Sequence, residues 1–311
     1  MIAVLAGGVG AARLLLGLLE VVEPAAVVAI VNTGDDTNLH GLHISPDLDT
    51  ITYTVAGASN LETGWGLAGE SWTVMDALER FGAPTWFRLG DRDIATHLHR
   101  TGRLAAGATL SEVSREVAAA FGLPIALLPM SDDPVRTRLE LVEGGEVDFQ
   151  EYFVRLRHAV AVRSIRYAGA PEARPAPGVL EALRDARRVV IAPSNPLLSI
   201  GPILALPGVA QVLAARRDRV VAISPIVAGA AIKGPADRLL AELGHEPSAL
   251  GVARLLAPYA GAFVADERDA ALAPAIGALG LRCALTDTLM ATPGVAASLA
   301  RAALDAASST E

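Results

Sequence analysis

A mostly parallel α/β sheet with helices on both faces is the fold class this sequence predicts, on three observations. Short apolar, β-branched runs recur along the chain. Stretches with helical periodicity separate them. The glycine-rich and polar segments fall just after the runs, at the sheet edge where such folds bind ligands.

The elements follow in order. "IAVLA" (2–6) reads as a buried strand, and the glycine turn after it feeds an Ala/Leu-rich helix near 10–20. "AVVAIV" (26–31) is the second strand, and helical patterns lie near 67–81 and 110–121. From about 92 to 165 the alternation weakens. "TRLELVEGGEVDFQEYF" predicts a hairpin turning at Gly144-Gly145 and then a short helix, so this stretch is expected to form an inserted smaller lobe. Strands resume at 188–193, 219–224, 262–266 and 282–286, among helices near 176–186, 236–243, 246–256, 267–278 and 292–307. One domain spanning 1–311 accommodates all of this, with the last few residues frayed.

Composition narrows the function. The chain has 311 residues, 52% of them apolar and 19% charged, which argues against disorder. A formal charge of -8 argues against broad nucleic-acid binding, which needs a basic surface. The single cysteine, Cys283, excludes an intrachain disulfide framework and a Cys-based zinc cluster. Residues 189–215 carry no charge, but Pro193, Pro196, Pro202 and Pro207 interrupt them, so they predict a strand, a loop and a helix start rather than a membrane span. The N-terminus shows no basic leader before its first strand. A cytoplasmic protein with no membrane partner is expected.

Chemistry concentrates after the strands. In "AGGVGAAR", Gly8 and Gly10 allow close backbone approach, and the following helix N-terminus offers free N–H groups to a phosphate. Arg13 stands where the third glycine of a dinucleotide fingerprint would be, and no G-x-x-x-x-G-K-[ST] occurs. A plain tight turn is the alternative. "VNTGDDTNLHGLHISPDLDT" follows the second strand, beginning with Val31 and Asn32. Asp35, Asp36, Asp47 and Asp49 there suit a hard cation such as Mg2+, with His40 and His43 between them. Capping would use one carboxylate, with Asp47 or Asp49 as N-cap of a helix near Thr50; four are supplied. Trp65 between glycines is a plate for a flat ring or else a core residue, and Arg88 after Trp86-Phe87 looks like ligand recognition. His97 and Arg100 share one face of the next helix. Ser194 and Asn195 offer neutral hydrogen bonds, Gly229, Lys233 and Gly234 could line a diphosphate, and Asp287 could cap the last helix. No Ser–His–Asp pattern can be assigned. Carboxylates, glycine loops and arginines suit phosphoryl or phosphodiester transfer.

Taken together, "LAGGVGAARLLLGL", "VNTGDDTNLHGLHISPDLDTITYTVAG", "WFRLGDRDIATHLHRT", "FQEYFVR", "APSNPLLSIGPILA" and "SPIVAGAAIKGPA" resemble the 2-phospho-L-lactate transferase family of coenzyme F420 biosynthesis. The resemblance implies a Rossmann-like sheet with an inserted lobe, a homodimer and a need for Mg2+. It implies transfer of a phospholactyl or phosphoenolpyruvyl group from a guanosine diphosphate ester to the deazaflavin Fo, releasing GMP. It places Asp49 and Arg88 against the deazaflavin, with Asp49 as a candidate to orient or deprotonate the attacking hydroxyl. Asp35, Asp36 and Asp49 become candidate metal ligands, and Trp65, Gly8, Gly10, Asn32, Ser194, Asn195 and Lys233 candidate substrate contacts. Ala11 and Arg13 depart from the expected Gly and Lys. Two other readings compete: a non-catalytic UDP-sugar-binding regulator of related fold, and a nicotinamide oxidoreductase, which the broken fingerprint disfavours.

Overall fold

A computed structural model describes residues 1–60, 64–292 and 294–307. Strand β1 (Ile2–Ala6) leads into helix α1 (Gly8–Leu19) and strand β2 (Val27–Val31). A small hairpin, β3 (Thr37–Leu39) and β4 (Leu42–Ile44), precedes α2 (Pro46–Val55), α3 (Thr73–Arg80), α4 (Asp91–Ala105) and α5 (Leu110–Ala120). Next come β5 (Ala126–Pro129), β6 (Arg136–Leu141), β7 (Glu146–Asp148), β8 (Val162–Ala168), α6 (Val179–Asp185) and β9 (Arg188–Ile191). Helices α7 (Gly201–Leu204) and α8 (Val209–Ala215) lead to β10 (Val220–Ile223), the two-residue strands β11 (Ile226–Val227) and β12 (Ala230–Ala231), and then α9 (Ala236–Glu242) and α10 (Ala249–Leu256). The chain ends with β13 (Ala262–Asp266), α11 (Ala273–Gly277), β14 (Arg282–Thr286) and α12 (Val295–Ala306).

The main sheet is parallel, in the order β14-β13-β10-β9-β1-β2-β5. The chain builds outward from β1 in one direction and then from β9 in the other. The crevice between the carboxyl ends of β1 and β9 is therefore the topological switch point, where such sheets take ligands. Alternate residues of β1 feed two cores. Ala3 and Leu5 pack with Val179, Val209 and Val252 on one face, and Val4 and Ala6 pack with Leu14, Leu110 and Leu299 on the other. Both faces are thus covered by helices, which a parallel sheet of continuous apolar strands requires.

The stretch 92–165 is divided between the main sheet and a separate three-stranded sheet. Its first part supplies α4, α5 and β5, which extends the main sheet beside β2. The separate antiparallel sheet β7-β6-β8 begins at Arg136 and turns at Gly144-Gly145, followed by a short π-helical turn over Glu151–Arg155. "ALLP" is a four-residue strand, too short to show a period, and so its place in the main sheet was hidden. Among the described residues no single helix is long and apolar enough to cross a membrane. The uncharged stretch 189–215 folds back sharply, with 92° between its two helical parts.

Candidate active site

One cavity of about 1000 Å³ opens over the carboxyl ends of the central strands. Gly8, Gly10, Asp35, Asp49, Trp65, Arg88, Ser194, Asn195 and Lys233 all line it; Asn32 and Asp36 do not. The opening glycine turn and the Asp35–Asp49 segment therefore share a single space.

Packing explains two of the glycines. A Cβ on Gly10 would lie 2.5 Å from the Pro193 carbonyl oxygen, and one on Gly7 would lie 2.5 Å from Ser199 Cβ. The turn is pressed against the loop after β9. Gly8 has φ +69°, a left-handed backbone that favours glycine. Ser194 Oγ donates to the Gly7 carbonyl at 2.7 Å, and Asn195 Oδ1 accepts from Leu197 and Leu198 N–H groups. These two side chains thus fasten the crevice as well as facing it.

The polar segment after β2 folds around Asn32. Its Nδ2 donates to Asp35 Oδ1 and Asp47 Oδ2, each at 3.0 Å, and its Oδ1 accepts from Gly34 N–H. Asp47 also accepts from the Gly8 N–H. Burial, with the charges of Asp47 and Asp36, pushes the Asp35 carboxyl well above its usual range. Burial pushes Asp47 up to about 7, against the Asn32 hydrogen bond and with help from Asp36. Two buried carboxylates on one amide are short of positive charge. Asp36 points elsewhere: one oxygen meets His43 Nε2 at 2.9 Å and Ser45 Oγ at 2.8 Å, and Oδ1 is buried with no partner. The small lobe braces this loop, with Thr137 N–H on the Gly34 carbonyl and Gln150 Nε2 on the Asp35 carbonyl.

Neither Asp47 nor Asp49 is an N-cap, so the capping alternative for this pair falls away. Helix α2 starts at Pro46, which needs no N–H partner at that position, and both carboxylates lie in its first turn. Asp49 receives the Arg100 guanidinium on both oxygens, NH1 to Oδ2 at 3.1 Å and NH2 to Oδ1. Burial pushes the Asp49 carboxyl up, and the Arg100 and His97 charges oppose it. Asp287 caps no helix; it accepts from Leu289 N–H, while α12 begins at Val295 after Gly294.

The aromatic wall went largely unread. All three tryptophans, Trp65, Trp72 and Trp86, line the cavity with Tyr53, Phe87, Phe149 and Phe153. Trp65 is 43% exposed, which decides against a core role. Arg88 lies 5.1 Å from the Trp72 ring centre and pairs with Asp76 at 2.7 Å. Lys233, the only lysine of the chain, is exposed at the rim, and its Nζ occupies the space a Cβ on Gly64 would need. Arg13 lines the cavity too, as do Thr288, Leu289 and Met290 of the loop after β14.

Two groups of side chains could receive a cation. Asp49, Asp93 and His97 bring one ligating atom each within 4.8 Å of one another, an arrangement that could hold a metal ion. Arg100 already supplies positive charge there. Among the described residues no side-chain ion pair is made to Asp35 or Asp47, although the Arg136 charge acts on Asp35 from a distance, and a cation beside them would favour their ionised forms.

Comparison with known proteins gives a concordant picture. The family model described as 2-phospho-L-lactate transferase CofD matches residues 2–274. A phosphoenolpyruvate transferase of Streptomyces griseus subsp. griseus is 44% identical, with 98% of each chain covered. A 2-phospho-L-lactate transferase of Methanosarcina mazei is 38% identical over 92% of this chain and 94% of its own. Among solved structures, a UPF0052 family member from Bacillus halodurans superposes with a TM-score of 0.65 at 16% identity, covering 97% of this chain and 98% of that one, a likeness of fold.

Proposed function

Because this chain belongs to the 2-phospho-L-lactate transferase family of F420 biosynthesis and is a transferase of that type, we propose that it moves a phosphoenolpyruvyl group from enolpyruvyl-diphosphoguanosine to the ribityl hydroxyl of Fo, giving dehydro-F420-0 and GMP. The observation that carries this reading is one cavity lined together by the glycine turn at the α1 N-terminus, Asp35 and Asp47, and the three tryptophans. The enolpyruvyl donor is preferred over the lactyl one because relatives named phosphoenolpyruvate transferase reach 44% identity, against 38% for the Methanosarcina mazei 2-phospho-L-lactate transferase.

The residues divide the work. The Val9 and Gly10 amides of the α1 N-terminus, with the positive dipole end, receive the donor diphosphate at the switch point, and Lys233 faces it from the rim. The tryptophan wall stacks the tricycle, with Arg88 and Asp49 making its polar contacts. Asp35 and Asp47 would hold Mg2+, with Asp36 beside them. When bound, that ion neutralises phosphate oxygens. Asp49, with both oxygens already accepting from Arg100, is suited to accept a hydrogen bond from the acceptor and orient it. The reaction is a displacement at phosphorus: the ribityl oxygen bonds to the phosphorus that carries the enolpyruvyl group, the bridging P–O bond to GMP breaks, and the hydroxyl proton passes to the departing phosphate or to solvent. The same reading carries a homodimer in the cytoplasm.

The test mixes pure protein, Mg2+, Fo and an equimolar mixture of lactyl and enolpyruvyl donors. Dehydro-F420-0 and stoichiometric GMP are expected by mass spectrometry. Predominant F420-0 reverses the donor choice. Absence of GMP with any donor overturns the transferase reading and leaves the UDP-sugar regulator.

A further inference from the structure

Polar side chains of helices α2 and α4 meet in the interior. Asp49 and Tyr53 are four apart on α2, and Asp93, His97 and Arg100 follow at four and three on α4, so each set lies on one helix face. Their side chains form one buried network. Arg100, 2% exposed, lies behind the cavity wall and donates to both oxygens of Asp49, which lines the cavity. Its NH1 also meets His97 Nδ1 at 3.2 Å and the His43 carbonyl at 3.4 Å. His97 Nε2 faces Asp93 Oδ2 at 3.4 Å, and Tyr53 Oη donates to Asp93 Oδ1 at 2.6 Å.

The start of α4 is itself pinned. Glu70 accepts the Arg92 and Asp93 N–H groups, each at 2.8 Å, and Gly90 leaves the room: a Cβ there would lie 2.1 Å from Glu70 Cδ. The register of Arg100 is therefore fixed from the helix terminus onward. A buried ion pair is a poor way to gain stability, since desolvating both charges offsets their attraction. A bidentate fork is a good way to hold a carboxylate in one orientation.

We propose that Arg100 is a positioning residue, which holds Asp49 by both oxygens in the orientation that meets the acceptor. The proposal rests on the transferase reading, in which Asp49 contacts Fo. His97 serves as the wedge that keeps the guanidinium from rotating away. Among the described residues Arg100 makes no hydrogen bond to the glycine turn, Asp35 or Asp47; it approaches the donor end only through the His43 carbonyl, whose ring meets Asp36. Its loss is therefore expected to fall mainly on the acceptor.

The experiment compares wild type with Arg100→Lys, which keeps the charge and loses the fork, and with the double variant Asp49→Asn/Arg100→Gln, which removes both charges. Fo binding is read by tryptophan quenching, donor KM by GMP release, and folding by thermal melting. Expected for Arg100→Lys is a loss of Fo affinity of about tenfold or more, the size of one charge-assisted hydrogen bond, with donor KM within about twofold. The double variant is expected to melt as a folded protein and still bind Fo weakly. Equal losses for Fo and donor in Arg100→Lys, or Fo affinity within about twofold of wild type in either variant, overturn the assignment. A wild type that binds Fo but releases no GMP sinks the transfer reaction and leaves the Arg100 test standing. A wild type that binds no Fo sinks both.

Discussion

At the scale of single residues, the unusual group is Asp47. Its carboxyl is pushed up to about 7, mainly by burial. An unfolded aspartate titrates near 3.9, roughly three units lower, so between about pH 4 and 7 the native state holds a proton that the unfolded state has lost. A folded pKa raised in this direction lowers stability as pH rises through that window. The metal-free protein is expected to melt at progressively lower temperature from pH 4 to 8, the Asp47 contribution amounting to a few kcal/mol. A cation between Asp35 and Asp47 reverses the penalty, because it favours the ionised forms. Melting curves with Mg2+ and with a chelator check this: the Mg2+-induced rise should be larger at pH 8 than at pH 5. A rise independent of pH removes the Asp35–Asp47 pair as the holder. The sequence made four aspartates visible as a cluster, but which of them face the cavity depends on the start of α2 at Pro46 and on the partners Asn32, Ser45 and Arg100. Those are tertiary facts without a local pattern.

At the scale of elements, two loops cap each other's helices. Asp91, the first residue of α4, accepts from Ser71 Oγ and from the Thr73 and Val74 N–H groups at the start of α3, while Glu70 does the same for α4. No single window of sequence shows such an exchange, because each cap lies about twenty residues from its helix. The strands were legible for the opposite reason. "IAVLA", "RVVI" and "AFVAD" are apolar runs bounded by turns and needed no partner to be seen. Two helical glycines make the contrast testable. On Gly17 of α1 a Cβ would lie 2.2 Å from the Ala296 carbonyl carbon, where α1 and α12 touch backbone to backbone. On Gly102 of α4 it would meet nothing within 4 Å. Gly17→Ala is expected to lose about 1–3 kcal/mol by overpacking. Gly102→Ala is expected to gain roughly 0.5–1 kcal/mol from helix propensity. Urea unfolding of the two variants reads the difference; equal shifts would mean that α1 and α12 do not pack as closely as described.

At the scale of the whole molecule, rare residue types gather in one place. Arginine takes 25 of the 26 basic positions in this chain and lysine one, and that lysine stands at the cavity rim with the three tryptophans inside. The topology accounts for the meeting. Trp65 and Trp72 arrive on the loop before α3, Trp86 on the loop before α4, and Lys233 just after the β11–β12 hairpin that follows β10. All converge where the strand order reverses. Sequence motifs marked Lys233 as a diphosphate contact, but only the fold brings its Nζ against Gly64, beside the glycine turn through Val9. The ε-amine of Lys233 and the N-terminal amine are the only aliphatic amines in the chain, so an amine reagent interrogates the site directly. Reductive methylation should modify Lys233 and Met1 alone. GMP with Mg2+ should slow the Lys233 reaction while leaving Met1 unchanged, since Met1 precedes β1 at its amino end, away from the cavity. Peptide mass spectrometry over time separates the two rates. Equal slowing at both amines, or none at Lys233, would mean that the nucleotide phosphate does not reach this rim, and the diphosphate would then have to lie entirely on the α1 N-terminus.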